Sequence, residues 1–210
     1  FWRFRALLEV LILEIPSLTG SFKLGCLADS PIFVSAEVSS LLEMKFYKVD
    51  TNYLNELRQI DSRVPFNKEF VGKTKKTRPY IGIMLSIEGI DYLVPLTSNK
   101  KKRTSYVNMP IFDKNNEKIA YLLINNMIPV PEQYRNALNM DGILMTDPLY
   151  YDLLMNEINY LRPNKDSIKK RCKDVRAVKV KSEHRIAITE ATANYCLDLL
   201  ELEKIYNSKK

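Results

Sequence analysis

Four consecutive residues, Thr97-Ser98-Asn99-Lys100, place two hydroxyls, an amide and an ammonium directly after an apolar stretch ending in Pro95-Leu96. Such a turn has two uses. Its polar side chains can close the turn's own backbone N–H groups, as Ser, Thr and Asn do in many loops. The same groups can instead cradle a scissile phosphate, donating to nonbridging oxygens while the ammonium balances charge. The surroundings are basic on both sides. Lys73, Lys75, Lys76 and Arg78 precede the apolar run Tyr80–Ile87, and Lys101, Lys102 and Arg103 extend Lys100. A third basic run, 165–181, holds eight bases, among them Lys169, Lys170, Arg171, Lys173 and Arg176, against Asp166 and Asp174.

Composition removes several chemistries. His184 is the only histidine of the 210 residues, and Cys26, Cys172 and Cys196 form no CxxC. A histidine-rich metal centre, a two-histidine ribonuclease, a thiolate zinc site and a disulfide framework are therefore excluded. No cofactor is implied. His184, in the charged link Ser182-Glu183-His184-Arg185, competes with Lys100 as a proton carrier. The formal net charge is +7, but residues 1–43 carry three bases against five acids, so residues 44–210 stand at +9. Concentrated charge of this kind suits a polyanion, and Tyr47, Tyr80 and Tyr106 are available to stack unpaired bases, which favours single-stranded RNA. A non-catalytic RNA-binding module needs only that charge and those aromatics, so it stands beside an enzyme as an alternative. A DNA-binding regulator is weaker, because no helix–turn–helix spacing is evident.

The elements that must position these groups follow from periodicity. Lys45–Val49 reads as a first strand, and Asp50-Thr51 as the cap of a short helix with Tyr53, Leu54, Leu57 and Ile60 on one side. Asp61–Thr77 is polar and aperiodic, a long loop. Tyr80–Ile87 and Ile90–Leu96 form a hairpin around Glu88-Gly89. A second hairpin joins Val107–Phe112 to Ile119–Ile124 around Asp113-Lys114-Asn115-Asn116. Hairpin return places Arg78 close to Thr97, Ser98 and Lys100. The last third switches to helical spacing: Asp147-Pro148 starts a helix with Tyr150, Leu154, Ile158 and Leu161, and another carries Ile168, Cys172, Val175 and Val178. Thr189 caps a final one with Ala191, Tyr195, Leu199 and Leu202 inward. The fold class is α+β, a twisted antiparallel sheet with a helical C-terminal third.

Residues 1–43 read differently. Phe1 to Arg5 and the apolar run Ala6–Ile15 faintly resemble a signal peptide, but Glu9 and Glu14 interrupt it and it is too short to span a bilayer. The expectation is a cytoplasmic domain over 44–210, with 1–43 as read-through or a misassigned start.

The opening Met44-Lys45-Phe46-Tyr47, the segment Arg78-Pro79-Tyr80-Ile81-Gly82-Ile83, the turn Pro95-Leu96-Thr97-Ser98-Asn99-Lys100 and the run Asn125-Asn126-Met127-Ile128-Pro129-Val130 together resemble the ToxN/AbiQ family. These are toxin endoribonucleases of type III toxin–antitoxin and abortive-infection systems. The resemblance covers Met44 to Lys210 and has no counterpart for 1–43. It implies a sheet distantly like that of the MazF/Kid toxins, and metal-independent cleavage of single-stranded RNA to a 2′,3′-cyclic phosphate. It also implies a small repeated pseudoknot RNA antitoxin, processed by the toxin and bound in a closed toxin–RNA assembly. Carried over by residue, Ser98 matches the essential serine, Thr97 its neighbour and Lys100 the lysine two beyond. Arg78 stands where a relative has lysine, which limits it to electrostatics because a guanidinium keeps its proton. Thr74 occupies the place of a family tyrosine, so that role does not transfer. Acid–base work by Lys100 requires Lys101, Lys102 and Arg103 to make its proton easier to lose.

Overall fold

The computed structural model describes residues 44–66 and 80–210. Chain order begins with strand β1 (Phe46–Val49) and helix α1 (Thr51–Ile60). Asp50 starts the helix by accepting from the N–H groups of Asn52 at 2.8 Å and Tyr53 at 3.1 Å. Strands β2 (Ile81–Ile87) and β3 (Ile90–Thr97) follow. Between them Glu88 and Gly89 both adopt positive φ, 50° and 80°, the two-residue turn whose twist matches a hairpin. The partners run in register from Ile87 opposite Ile90 to Gly82 opposite Pro95. Gly82 is required there, since a Cβ would drive into the Val94 carbonyl and come within 2.8 Å of the Leu93 side chain.

The second hairpin pairs β4 (Asn108–Phe112) with β5 (Lys118–Leu123). Asp113 holds its turn by accepting from the N–H groups of Asn115 and Glu117. A single 3-10 turn, Ile124–Asn126, leads to the short strand β6 (Ile128–Pro129), and β7 (Arg135–Ala137) lies beyond. Among the described residues these strands make one antiparallel sheet in the order β4-β5-β3-β2-β1-β7, with β6 beside the first half of β3. The expected α+β class and antiparallel sheet are present. Strands β6 and β7 are too short for sequence alternation to announce them.

Five helices follow: α2 (Met140–Thr146), α3 (Pro148–Leu161), α4 (Lys165–Lys181), α5 (Glu190–Tyr195) and α6 (Leu199–Ser208). Leu154, Ile158, Leu161, Ile168, Cys172, Val175, Leu199 and Leu202 are buried, as their spacing indicates. Burying each such side chain is worth about 1.5–3 kcal/mol. Three expectations change. Helix α2 was not foreseen and buries none of its residues. The single final helix is two, broken at Cys196–Asp198 where Asp198 caps α6, and this leaves Tyr195 74% exposed rather than inward. Ile60, the last residue of α1, is exposed.

Helices and sheet are joined by one buried polar network. Arg176 of α4 donates to both carboxylate oxygens of Glu203 on α6, at 2.9 and 2.7 Å, and to the Tyr92 hydroxyl on β3 at 3.0 Å. The Tyr92 hydroxyl in turn donates to Glu203. At the hairpin turn Glu88 accepts from Arg176 and from Lys181. Burial and the Glu203 carboxylate push the Tyr92 phenol far above its ordinary value. No helix among the described residues is long and apolar enough to cross a membrane.

Candidate active site

Strand β3 ends at Thr97, and its two neighbours converge there. On one side Tyr121 of β5 is its ladder partner. On the other, extending the β2–β3 register by two residues sets Tyr80 opposite the same threonine. Tyr80 itself precedes β2, so Tyr121 is the tyrosine that the ladder pairs with Thr97. The Tyr80 hydroxyl donates to the Asn126 carbonyl at 3.3 Å, and burial pushes its phenol well up.

From Thr97 the chain enters an exposed loop, Ser98 to Thr104. The self-satisfying reading of this turn is partly correct. The Asn99 N–H donates to Thr97 Oγ1 at 3.3 Å, and the Lys101 N–H to Asn99 Oδ1 at 3.1 Å. These bonds use acceptor capacity only. The Thr97 hydroxyl keeps its proton to donate, and Ser98 and Lys100 stand at the surface. The turn is thus closed in part on its own backbone, with Ser98 and Lys100 exposed just beyond the end of β3.

The basic clusters are partly brought together. Arg171 of α4 donates to the Tyr106 carbonyl at 3.3 Å and stacks 5.1 Å over the Tyr106 ring. The Tyr106 hydroxyl donates to Asp174 at 2.5 Å; burial and that carboxylate raise the phenol to about 12. The N-terminal half of α4 is thereby tied to the segment just after Lys101, Lys102 and Arg103. Lys170 and Lys173 are exposed and Lys169 half-buried. Arg176 is the correction: expected on an RNA-facing surface, it is 8% exposed and engaged by Glu203, Glu88 and Tyr92. Lys73, Lys75, Lys76 and Arg78 lie outside the described residues. His184 is exposed in the link after α4, its carbonyl accepting from Arg185.

The stacking platforms also need revision. Tyr47 lies 5.9 Å under Arg135, Tyr106 under Arg171, and Tyr80 is half-buried with its hydroxyl engaged. Sequence reading missed Tyr121, Lys118 and Thr104. The Tyr121 hydroxyl meets Thr104 Oγ1 at 3.3 Å and accepts from Lys118 Nζ at 3.1 Å, contacts that draw its phenol below the ordinary tyrosine value, Thr104 first and Lys118 next. Only the strand register, invisible in a hydropathy pattern, could have placed Tyr121 beside Thr97. Among the described residues no three His, Cys, Asp or Glu side chains converge as metal ligands would.

Residues 45–207 match the family model described as toxin ToxN of the type III toxin–antitoxin system. The chain belongs to the ToxN family. A ToxN relative from Bacillus thuringiensis subsp. kurstaki, named an endoribonuclease, is 37% identical over 165 residues, 76% of this chain and 81% of the relative. Endoribonuclease ToxN of Pectobacterium atrosepticum is 29% identical over 132 residues, 60% of this chain and 75% of the relative. A solved type III structure, concerned with selective toxin inhibition by a non-coding RNA pseudoknot, superposes with a TM-score of 0.68 at 33% identity. It covers 79% of this chain and 97% of that one. The lactococcal anti-phage endoribonuclease AbiQ shares the ToxN fold with a TM-score of 0.64, at 22% identity and over 80% of this chain and 99% of its own.

Proposed function

We propose that this ToxN-family protein is an endoribonuclease toxin that cuts single-stranded RNA through the RNA's own 2′-hydroxyl. That hydroxyl gives up its proton as its oxygen bonds to the adjacent phosphorus, the P–O5′ bond breaks, and the products are a 2′,3′-cyclic phosphate and a 5′-hydroxyl that takes up a proton. Neither a protein nucleophile nor a metal is required by this chemistry. The protein's tasks are to align attacking and leaving oxygens and to stabilise the charge that develops on the phosphorane. Ser98 and Thr97 donate to nonbridging oxygens, and Lys100 and Arg78 balance the charge. Lys101, Lys102, Arg103, Lys169, Lys170, Arg171 and Lys173 follow the flanking phosphates, with Lys73, Lys75 and Lys76 joining from the segment before β2. The observation that supports this reading is the exposed Ser98-Asn99-Lys100 segment at the end of β3, held beside Thr97 by the bonds from the Asn99 N–H to Thr97 Oγ1 and from the Lys101 N–H to Asn99 Oδ1.

Membership of the ToxN family, with a solved type III relative inhibited by a non-coding RNA pseudoknot, supports the partners we propose: an mRNA substrate and a small repeated pseudoknot RNA that inhibits the toxin, is cut from its precursor by it, and closes with it into a hetero-oligomer. The working domain is 44–210. The site of action is the cytoplasm, where both RNAs are made.

The test is incubation of the purified chain with adenosine-rich RNA in EDTA, followed by mapping of the new ends. Cyclic phosphate ends from the wild type, their absence with Ser98→Ala, and retained binding of antitoxin RNA by that variant are expected. A chain beginning at Met44 should cut equally well. Activity abolished by EDTA would remove the metal-free mechanism. RNA left intact under every condition would favour a non-catalytic binding module.

A further inference from the structure

Strand β5 contains one residue more than its partner. Ile111 faces Ala120, yet Phe112, the next residue of β4, faces Lys118, so Ile119 is left without a cross-strand partner. In an unbroken strand Lys118 and Tyr121, three residues apart, point to opposite faces. The bulge shifts the pleat and sends the Lys118 ammonium onto Tyr121, its Nζ 3.1 Å from the phenolic oxygen and 5.1 Å from the ring centroid. An ammonium only donates, so it occupies a lone pair of that oxygen, and the phenol shares a second hydrogen bond with Thr104 Oγ1, 3.3 Å away, in which either hydroxyl can donate. Thr104 closes the loop that Thr97 opens. Tyr121 therefore holds both ends, Thr97 by ladder pairing and Thr104 by its hydroxyl.

We infer that Tyr121, aimed by Lys118, is a positioning residue for RNA cleavage, a clamp that fixes the loop carrying Ser98 and Lys100 in the geometry the phosphate requires. The inference rests on the cleavage function proposed above. Beyond the Ser105–Asn108 bridge and the Tyr106 contacts to α4, any loop residue still free must be ordered by the substrate, at about 1–2 kcal/mol per residue fixed. Fastening the second end meets part of that cost before RNA arrives, and the gain is realised as alignment rather than as affinity. A purely packing role needs none of these polar features: phenylalanine would fill the space, without a bulge and without a lysine turned onto the ring edge.

Tyr121→Phe keeps the ring and deletes the clamp. Its kcat on a short single-stranded RNA should fall about 30-fold with KM within about threefold, the signature of lost alignment. Thr104→Val, at an exposed position that packing does not decide, should lose as much, and the double variant no more than either single one, because both changes cut one hydrogen bond. Lys118→Met should lose about tenfold, and Lys118→Arg should restore most of it. A readout independent of RNA is trypsin, which cuts after Lys100, Lys101, Lys102 and Arg103. Tyr121→Phe and Thr104→Val should each speed those cuts about fivefold or more at an unchanged melting temperature. Wild-type kcat in Tyr121→Phe, additive losses in the double variant, or unchanged loop proteolysis in both single variants would overturn the clamp. A wild-type protein that cuts no RNA overturns the cleavage function instead, and the trypsin comparison then decides the clamp alone.

Discussion

The two ends of β3 handle polarity in opposite ways. Near its start Tyr92 is sealed beneath α4 and α6, its hydroxyl shared with Arg176 and Glu203 and its phenol pushed up by burial and the carboxylate. At its finish Thr97 opens into solvent, and the phenol beside it, Tyr121, is drawn down by Thr104 and Lys118. One strand thus joins a buried polar network to an exposed turn that carries Ser98 and Lys100 at the surface. If the turn cradles a phosphate, as proposed, rigidity at the closed end serves precision at the open one, since such a cradle must be held by groups that do not themselves move.

The contrast can be broken at either end. Ser98→Ala should reduce the cleavage rate by about 10³-fold or more with no change in thermal stability, since Ser98 is exposed and its donor acts on the developing charge; single-turnover kinetics and a melting curve measure both. Glu203→Gln should show the reverse. It leaves a buried guanidinium short of its bidentate partner and costs about 3 kcal/mol by urea unfolding, the lower end for a broken buried pair because Glu88 remains on Arg176. Gly82→Ala tests the link between the ends. The added methyl meets the Val94 carbonyl and the Leu93 side chain, so about 1–3 kcal/mol of stability should go, and kcat should fall with it as the β2–β3 register near Thr97 shifts. The smallest effect distinguishes two bases of one helix. Lys170→Ala should lower the salt dependence of RNA binding by about 0.7 in log–log slope, the release expected for one single-strand phosphate contact. Arg176→Met should leave that slope unchanged, and an equal reduction would place Arg176 on the RNA.

Legibility followed sequence distance. The Glu88-Gly89 hairpin, the Asp113 turn and the caps at Asp50, Asp147 and Thr189 are contacts among near neighbours, and residue type plus spacing gives them directly. The self-closing bonds of the Thr97–Lys100 turn were legible for the same reason. Arg176 was misplaced because its partner Glu203 lies 27 residues further on and Tyr92 lies 84 residues before it, so its local pattern is that of any base on an amphipathic helix. The Lys118–Tyr121 contact was missed because strand alternation assigns the two side chains to opposite faces, and only the bulge at Ile119 reverses that. The break at Cys196–Asp198 escaped notice because Asp198 reads as one more polar residue on a helical stripe until it is seen to accept the N–H of Glu201.

The Tyr92–Glu203 bond also orders events in time. A ribosome makes Tyr92 long before Glu203, which follows it by 111 residues. While the chain grows, the phenol at the centre of the sheet has no carboxylate to receive it, and Arg176 has no α6 to lock against. Domains made vectorially fold once their long-range contacts can close, and here the closing contact belongs to the last helix. A truncated toxin released early carries the entire Thr97–Lys100 turn on a framework that has not been fastened. The Thr97–Lys100 turn is therefore made well before the contact that fastens β3 to α4 and α6 can form.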